Sequence, residues 1–137
     1  MRVHEESIKK FKDKLKFLTG RSKIGNINLT YKKIKQLAIG WINYFNLADM
    51  KSLVKELDKW LRRRIRMCYW KQWKKVSTKF ANLQKLGISK QKAWEFANTR
   101  KSYWRTAKSP ILQYSITNAK LEKAGLVSLL KIYTSKC

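Results

Sequence analysis

Residues that carry catalytic or metal chemistry are scarce in this chain. It has one histidine, His4, and two cysteines, Cys68 and Cys137. No C-x-x-C or H-x-x-x-H pair occurs, so these residues cannot form a structural zinc site by themselves. Two cysteines allow a single bridge, too little to mark a secreted, disulfide-stapled scaffold. A reduced, cytoplasmic protein is expected. Ser–His and Cys–His nucleophile pairs cannot be built on one histidine near a terminus, and no glycine-rich phosphate loop is present.

Acidic side chains are also few: Glu5, Glu6, Asp13, Asp49, Glu56, Asp58, Glu95 and Glu122. A two-metal nucleotidyl-transfer site needs carboxylates converging on one spot. Only Glu56 and Asp58 are near neighbours on one expected element, and two positions apart on a helix they diverge by about 200°. Ion pairs with Lys55, Lys59 or Arg62 are the expected use of both. The chain is therefore expected not to be an enzyme on its own, with no cofactor, no metal and no small-molecule substrate.

Long hydrophobic runs are missing too. No apolar stretch approaches the roughly 18–20 residues needed to cross a bilayer, and no signal-peptide core opens the chain. Proline occurs once, and the 44% hydrophobic and 12% aromatic content is too high for a disordered chain. The 137 residues fit one domain or two small ones. A chain of this size buries roughly two-thirds of its unfolded surface, enough for a core.

What the chain has in excess is positive charge: 33 Lys and Arg against 8 acids, a formal net charge of +25. Such a chain repels itself and calls for a polyanion, either nucleic acid or an anionic membrane surface. Its apolar stretches are short and interrupted by Lys or Arg, which favours nucleic acid and no membrane.

Helical periodicity dominates, and no segment alternates with period two. A first helix is expected over 7–19, with Ile8, Phe11, Leu15 and Leu18 on one stripe. Glu5 and Glu6 suit its N-terminal end and Gly20 its stop. Residues 20–28 read as a loop. A second helix is expected over 30–47, with Ile34, Leu37, Ala38, Trp41 and Phe45 inward, and with Gly40 explained by close helix packing. Asp49 is the expected cap of a third helix.

That third helix is expected over 50–75, about 39 Å at 1.5 Å per residue. It contains RRRIRMCYWKQWKK, with seven basic and three aromatic residues in fourteen positions. Leu53, Leu57, Leu61 and Cys68 share one sector, flanked by Val54, Ile65 and Trp60. Lys55, Lys59, Arg62 and Arg66 fall on the opposite face, with Tyr69, Trp70 and Trp73 on that basic side. Cys68 reads as a small buried hydrophobe.

Beyond a seam near Val76 the pattern breaks into short pieces. Ser77 or Thr78 is the expected cap of a helix carrying Phe80 and Leu83 and ended by Gly87. Ser89 caps another with Ala93, Trp94, Phe96 and Ala97. Ser109–Pro110 opens a helix, since proline suits the first helical position. Thr117 caps a turn ending at Gly125, and residues 126–133 form a last short helix. The expected fold is all-α: a three-helix unit with one long basic helix (1–75), then a compact cluster of short helices (76–137).

Two basic–aromatic constellations stand out. One is the outer face of the third helix, with Lys55, Lys59, Arg62, Arg63, Arg66, Tyr69, Trp70, Trp73 and Lys74. The other is TRKSYWR, where Arg100, Lys101 and Arg105 surround Tyr103 and Trp104. Lys and Arg contact phosphates, and aromatic faces stack on unpaired bases. Trp41 and Trp60 read as core, whereas Trp70, Trp73 and Trp104 fit either core or surface.

Two blocks carry a family resemblance: GWINYFNLADMKSLVKELDKWLRRRIRMCYWKQWKK (residues 40–75) and KLGISKQKAWEFANTRKSYWRTAKSPIL (residues 85–112). In this order they resemble the C-terminal portion of bacterial group II intron reverse transcriptase/maturases, over nearly the whole chain. The resemblance implies a helical thumb, the maturase or X domain, for residues 1–75, and a DNA-binding region for 76–137. It implies as partners group II intron RNA, a template–primer duplex or target DNA, and the fingers and palm of a parent reverse transcriptase. No YADD-like stretch and no Cys/His-bearing endonuclease segment occurs, so polymerase and second-strand cleavage activity are not expected here. Met1 is expected to mark a fragment or a truncated reading frame. The family more often has glycine where this chain has Ser102. Competing readings are a helical RNA- or DNA-binding regulator unrelated to introns, with 89–98 as a recognition helix, and a cationic amphipathic membrane binder.

Overall fold

The structure is a computed structural model of the chain and describes residues 5–20, 27–45 and 50–135. Every regular element among them is an α-helix. In chain order they are α1 (Glu5–Leu18), α2 (Ile27–Tyr44), α3 (Lys51–Gln72), α4 (Val76–Lys85), α5 (Lys90–Ala97), α6 (Tyr103–Ala107), α7 (Pro110–Ser115), α8 (Asn118–Ala124) and α9 (Leu129–Ser135). The expected all-α fold is thus what forms, with three longer helices followed by a cluster of short ones. Asp49 lies outside the described residues, as does most of the loop expected over 20–28.

The stripes that make α1 and α2 amphipathic are the ones that bury. In α1, Phe11 and Leu15 are buried, with Ile8 and Leu18 half-buried beside them. Glu5 and Glu6 occupy the first turn and Lys16 the last, matching the helix dipole at both ends. In α2 the buried residues are Tyr31, Ile34, Ala38 and Ile42, spaced three or four apart. Trp41 bridges the pair: its ring stacks on Phe11 with centroids 4.3 Å apart and planes within 4°. Gly40 does not mark close helix packing. It is exposed, and a Cβ there would meet nothing within 4 Å.

The helix α3 has 22 residues, about 33 Å, shorter than expected because the chain leaves the helix at Trp73. Its apolar sector of Val54, Leu57, Leu61, Ile65 and Cys68 is buried, but so are Asp58, Arg66, Met67 and Trp70. An amphipathic helix on a surface has one buried face. Here α6 and α9 both pack against α3, so it is covered on more than one side. A single apolar cluster joins Phe11, Ile34, Leu61 and Trp70 to Leu83, Leu112, Leu121 and Leu129, and so continues past Val76.

Local signals set the ends of the short helices. Ser89 and Ser109 hold the N-cap positions of α5 and α7, with Pro110 opening α7. The Thr117 hydroxyl accepts from the Lys120 N–H at the start of α8. Gly87 and Gly125 sit at φ +99° and +120° after α4 and α8, where only glycine is unstrained. Ser77 and Thr78 are not caps: α4 begins at Val76, which places both in its first turn. The short α6 has too few residues to show a period, so the sequence does not reveal it. Its cap is Ser102, at φ −58°, whose hydroxyl accepts from the Arg105 N–H. A glycine at this position is therefore unnecessary, and serine supplies a bond that glycine could not.

Candidate nucleic-acid interface

The polar side chains of α3 divide into two classes. Some reach across to the ends of other helices and complete their hydrogen bonding. The rest face solvent or a groove.

Asp58 belongs to the first class. It pairs with none of its basic neighbours. Its carboxylate is buried and accepts from the N–H groups of Leu129 (2.7 Å) and Leu130 (2.9 Å) and from the Ser128 hydroxyl (3.2 Å). These are otherwise unsatisfied donors at the start of α9, so Asp58 is a cap supplied from another helix. Glu56 does form the expected kind of ion pair, with Lys59 at 3.6 Å, both exposed.

Arg64 and Cys68 close the other end of α1. Arg64 donates through Nε to the Thr19 hydroxyl (3.0 Å) and through a terminal nitrogen to the carbonyls of Lys16 and Thr19 (3.1 Å each). The Cys68 thiol donates to the Thr19 carbonyl at 3.1 Å. Burial pushes that thiol up to about 11, against a smaller downward pull from Arg64.

Arg66, expected on the outer face, is 6% exposed. Its Nε donates to the Ile116 carbonyl and a terminal nitrogen to Asn118 Oδ1, both at 2.8 Å. It therefore ties the end of α7 to the start of α8. Burial, and then the neighbouring Arg62 charge, draws its guanidinium down to about 10.

Trp70 is likewise misplaced by periodicity. It is 1% exposed, because α4 and α5 fold back over the end of α3. Phe96 and Trp73 tilt against its ring at centroid distances of 5.1 and 6.1 Å, and the Lys79 ammonium lies 4.6 Å from its centroid. Tyr69 is half-buried, its hydroxyl 2.7 Å from that of Tyr31. Trp73 is half-buried too. Trp41 and Trp60, read as core, are half-buried residues packed against it.

The two basic–aromatic constellations meet. Arg63 of α3 donates through Nε to the Trp104 carbonyl (3.0 Å) and lays its guanidinium over the Trp104 ring, 3.8 Å from the centroid. Desolvation in this contact lowers the Arg63 pKa. Lys71 lies 4.9 Å from the centroid of Tyr103. Tyr103 and Trp104 are both half-buried, and α6 is thereby fastened to α3.

Between α3 and the α6–α8 segment runs an open groove of about 490 Å³. Lys59, Arg62, Arg63, Arg66 and Lys108 line it against one acid, Glu56. Lys55, Lys74, Arg100, Lys101 and Arg105 are exposed outside it. Lys108, Gln113 and Asn118 also line the groove, and no local pattern in the sequence singles them out. Among the described residues no three His, Cys, Asp or Glu side chains gather as a metal site, and no helix is long and apolar enough to cross a membrane.

Compared with known families, residues 8–87 match the group II intron, maturase-specific domain. The match begins in α1, takes in all of α2, α3 and α4, and stops at Gly87. No curated protein matches the chain. With more than half of its length covered by that domain, including the whole of the long basic helix, the chain belongs to the group II intron maturase-specific domain family.

Proposed function

We propose that this protein binds folded group II intron RNA and assists its splicing. In this reading residues 1–75 act as the thumb of a reverse transcriptase/maturase. Residues 76–137 act as a region that engages target DNA or the template–primer duplex. The fingers and palm of the parent enzyme are the proposed protein partners. The observation that carries the reading is the joining of a basic groove to the Arg63–Trp104 contact, inside a chain of net charge +25 and maturase family membership. Lys55, Lys59, Arg62, Lys74, Arg100, Lys101 and Arg105 supply phosphate contacts. Arg63, Tyr69, Trp73, Tyr103 and Trp104 shape the surface between them. Arg66 and Trp70 are left out of this set, since both are buried.

The test is a titration of the chain against a folded group II intron RNA and a length-matched scrambled RNA over a range of salt. A preference for the intron that survives at about 200 mM salt supports the reading. Equal affinity for both, collapsing as salt rises, leaves only non-specific charge attraction and defeats it. Preference for one palindromic DNA duplex would favour a helical regulator instead.

A further inference from the structure

The groove beside α3 has the wrong shape for a duplex. A nucleic-acid duplex presents a convex backbone, and its major groove alone is about 12 Å wide in B-form DNA. A concavity of about 490 Å³ lies within the range of pockets that enclose a single small molecule. One nucleotide, swung out of a stack, fits that scale.

The chemistry of the walls agrees with the shape. Neither Arg62 nor Lys108 has a side-chain hydrogen bond or ion pair among the described residues, so both are available to phosphate oxygens. Arg66 is held by Ile116 and Asn118, and adds a fixed positive charge behind them. The charges of Arg62 and Arg66 repel each other, which an anion in the groove would relieve.

The polar wall has unused capacity as well. Gln113 donates its amide to the Lys108 carbonyl at 2.8 Å, which leaves its Oε1 as an acceptor. Asn118 accepts from Arg66 through Oδ1, which leaves its amide as a donor. An acceptor and a donor, both on residues anchored to backbone or to a buried arginine, suit the edge of a base. Trp60 and Trp104 supply aromatic wall.

We propose that this groove seats one unpaired nucleotide of a structured nucleic acid. Arg62 and Lys108 contact the phosphates on either side of it, Lys59 stands at the rim, and Gln113 and Asn118 meet the base edge. The proposal rests on the nucleic-acid binding inferred above and specifies where and how it is local.

The whole chain is titrated against an RNA hairpin with a one-nucleotide bulge and against the same stem fully paired, each also made in DNA. The unaltered protein prefers the bulged stem by about tenfold, the scale of one good base contact. The R62Q/K108Q double variant loses that preference. Its slope of log affinity against log salt on the bulged hairpin falls by about 1.4, two single-strand phosphate contacts at about 0.7 each. The K32Q/K35Q variant removes the same charge from exposed positions of α2 and keeps the preference. Gln113→Ala changes the ranking of the four bulged bases without changing the salt slope. A stronger bulge preference in RNA than in DNA assigns the nucleotide to RNA, and the reverse assigns it to unpaired DNA.

Equal affinity for bulged and paired stems, or equal losses in the two double variants, overturns the groove assignment while leaving intron binding intact. Failure to bind any of the hairpins or the intron RNA overturns both.

Discussion

The carboxylate of Asp58 and the backbone N–H of Leu129 are 71 residues apart in sequence and 2.7 Å apart in the fold. This bond attaches the last helix to the third, and the third helix is the one on which the rest of the fold is assembled. Replacing Asp58 by Ala leaves the Leu129 and Leu130 N–H groups buried or half-buried without their acceptor. A loss of about 1–3 kcal/mol in unfolding free energy is expected. Asp58→Asn, which keeps one acceptor oxygen, loses less. Urea denaturation of the two variants checks the order; an alanine variant as stable as the parent would mean the cap contributes nothing.

The same logic applies to Arg66, whose planar fork reaches the Ile116 carbonyl and Asn118 Oδ1 at once. A lysine ammonium is one point and cannot span both acceptors. Arg66→Lys is expected to cost about 1.5–3 kcal/mol, since bonds made by a charged donor are lost. Denaturant midpoints measure it. Arg105→Lys, on an exposed side chain, serves as the silent comparison.

Two glycines should respond in opposite directions to alanine. Gly125 sits at φ +120°, and a Cβ there would lie 3.4 Å from Tyr31 Cδ2. Gly125→Ala is therefore expected to destabilise by about 1–2 kcal/mol. Gly40 lies within α2 with open space around it, so Gly40→Ala is expected to stabilise by about 0.5–1 kcal/mol. Thermal melts of both variants settle the comparison, and a destabilised Gly40→Ala would restore the close-packing explanation.

Burial of Cys68 makes stability depend on pH in the alkaline range. The thiol is raised from its ordinary 9.0 to about 11, so between these values the folded chain holds a proton that the unfolded chain has released. Its contribution is complete below pH 9.0 and is lost as pH rises to about 11. Tyr31, also raised by burial, adds a loss that begins as pH passes its ordinary 10.0, and Arg66, lowered by burial, acts in the opposite direction. The difference between the parent and Cys68→Ala isolates the thiol. That difference should shrink across this window, and a difference that stays constant would show the thiol is not desolvated.

The Arg63–Trp104 contact invites a double-mutant cycle. Arg63→Met and Trp104→Leu each weaken the attachment of α6 to α3, and the pair should show a coupling of about 0.5–2 kcal/mol. Unfolding free energies of the four proteins give the value. A coupling of zero would mean that the stacking seen in the structure is not energetically used.

Much of this was readable from local pattern. Periods of three and four marked Phe11, Leu15, Ile34, Ala38, Leu57 and Leu61 as inward, because a helix repeats its face at that spacing wherever it packs. Ser89, Pro110, Thr117, Gly87 and Gly125 marked helix ends, because capping depends on residues only a few positions away. The excess of Lys and Arg pointed to a polyanion whatever the fold.

Periodicity could not say which polar residues of α3 stay in water. Asp58, Arg64, Arg66 and Trp70 all lie off its apolar sector or at its edge, and each is claimed by a partner from outside the helix. The partners are Leu129, Thr19, Ile116 and Phe96, reached only when the chain folds back. The groove arises in the same way, from Arg62 on α3 and Lys108 in the turn that ends α6, distant in sequence and adjacent in space. A helix's own sequence determines its turns and its apolar stripe, since those are energies of neighbours along the chain. Which of its charges become caps, and which remain free to meet a phosphate, is decided by the ends of other helices, whose unsatisfied N–H and C=O groups must find partners when water is excluded.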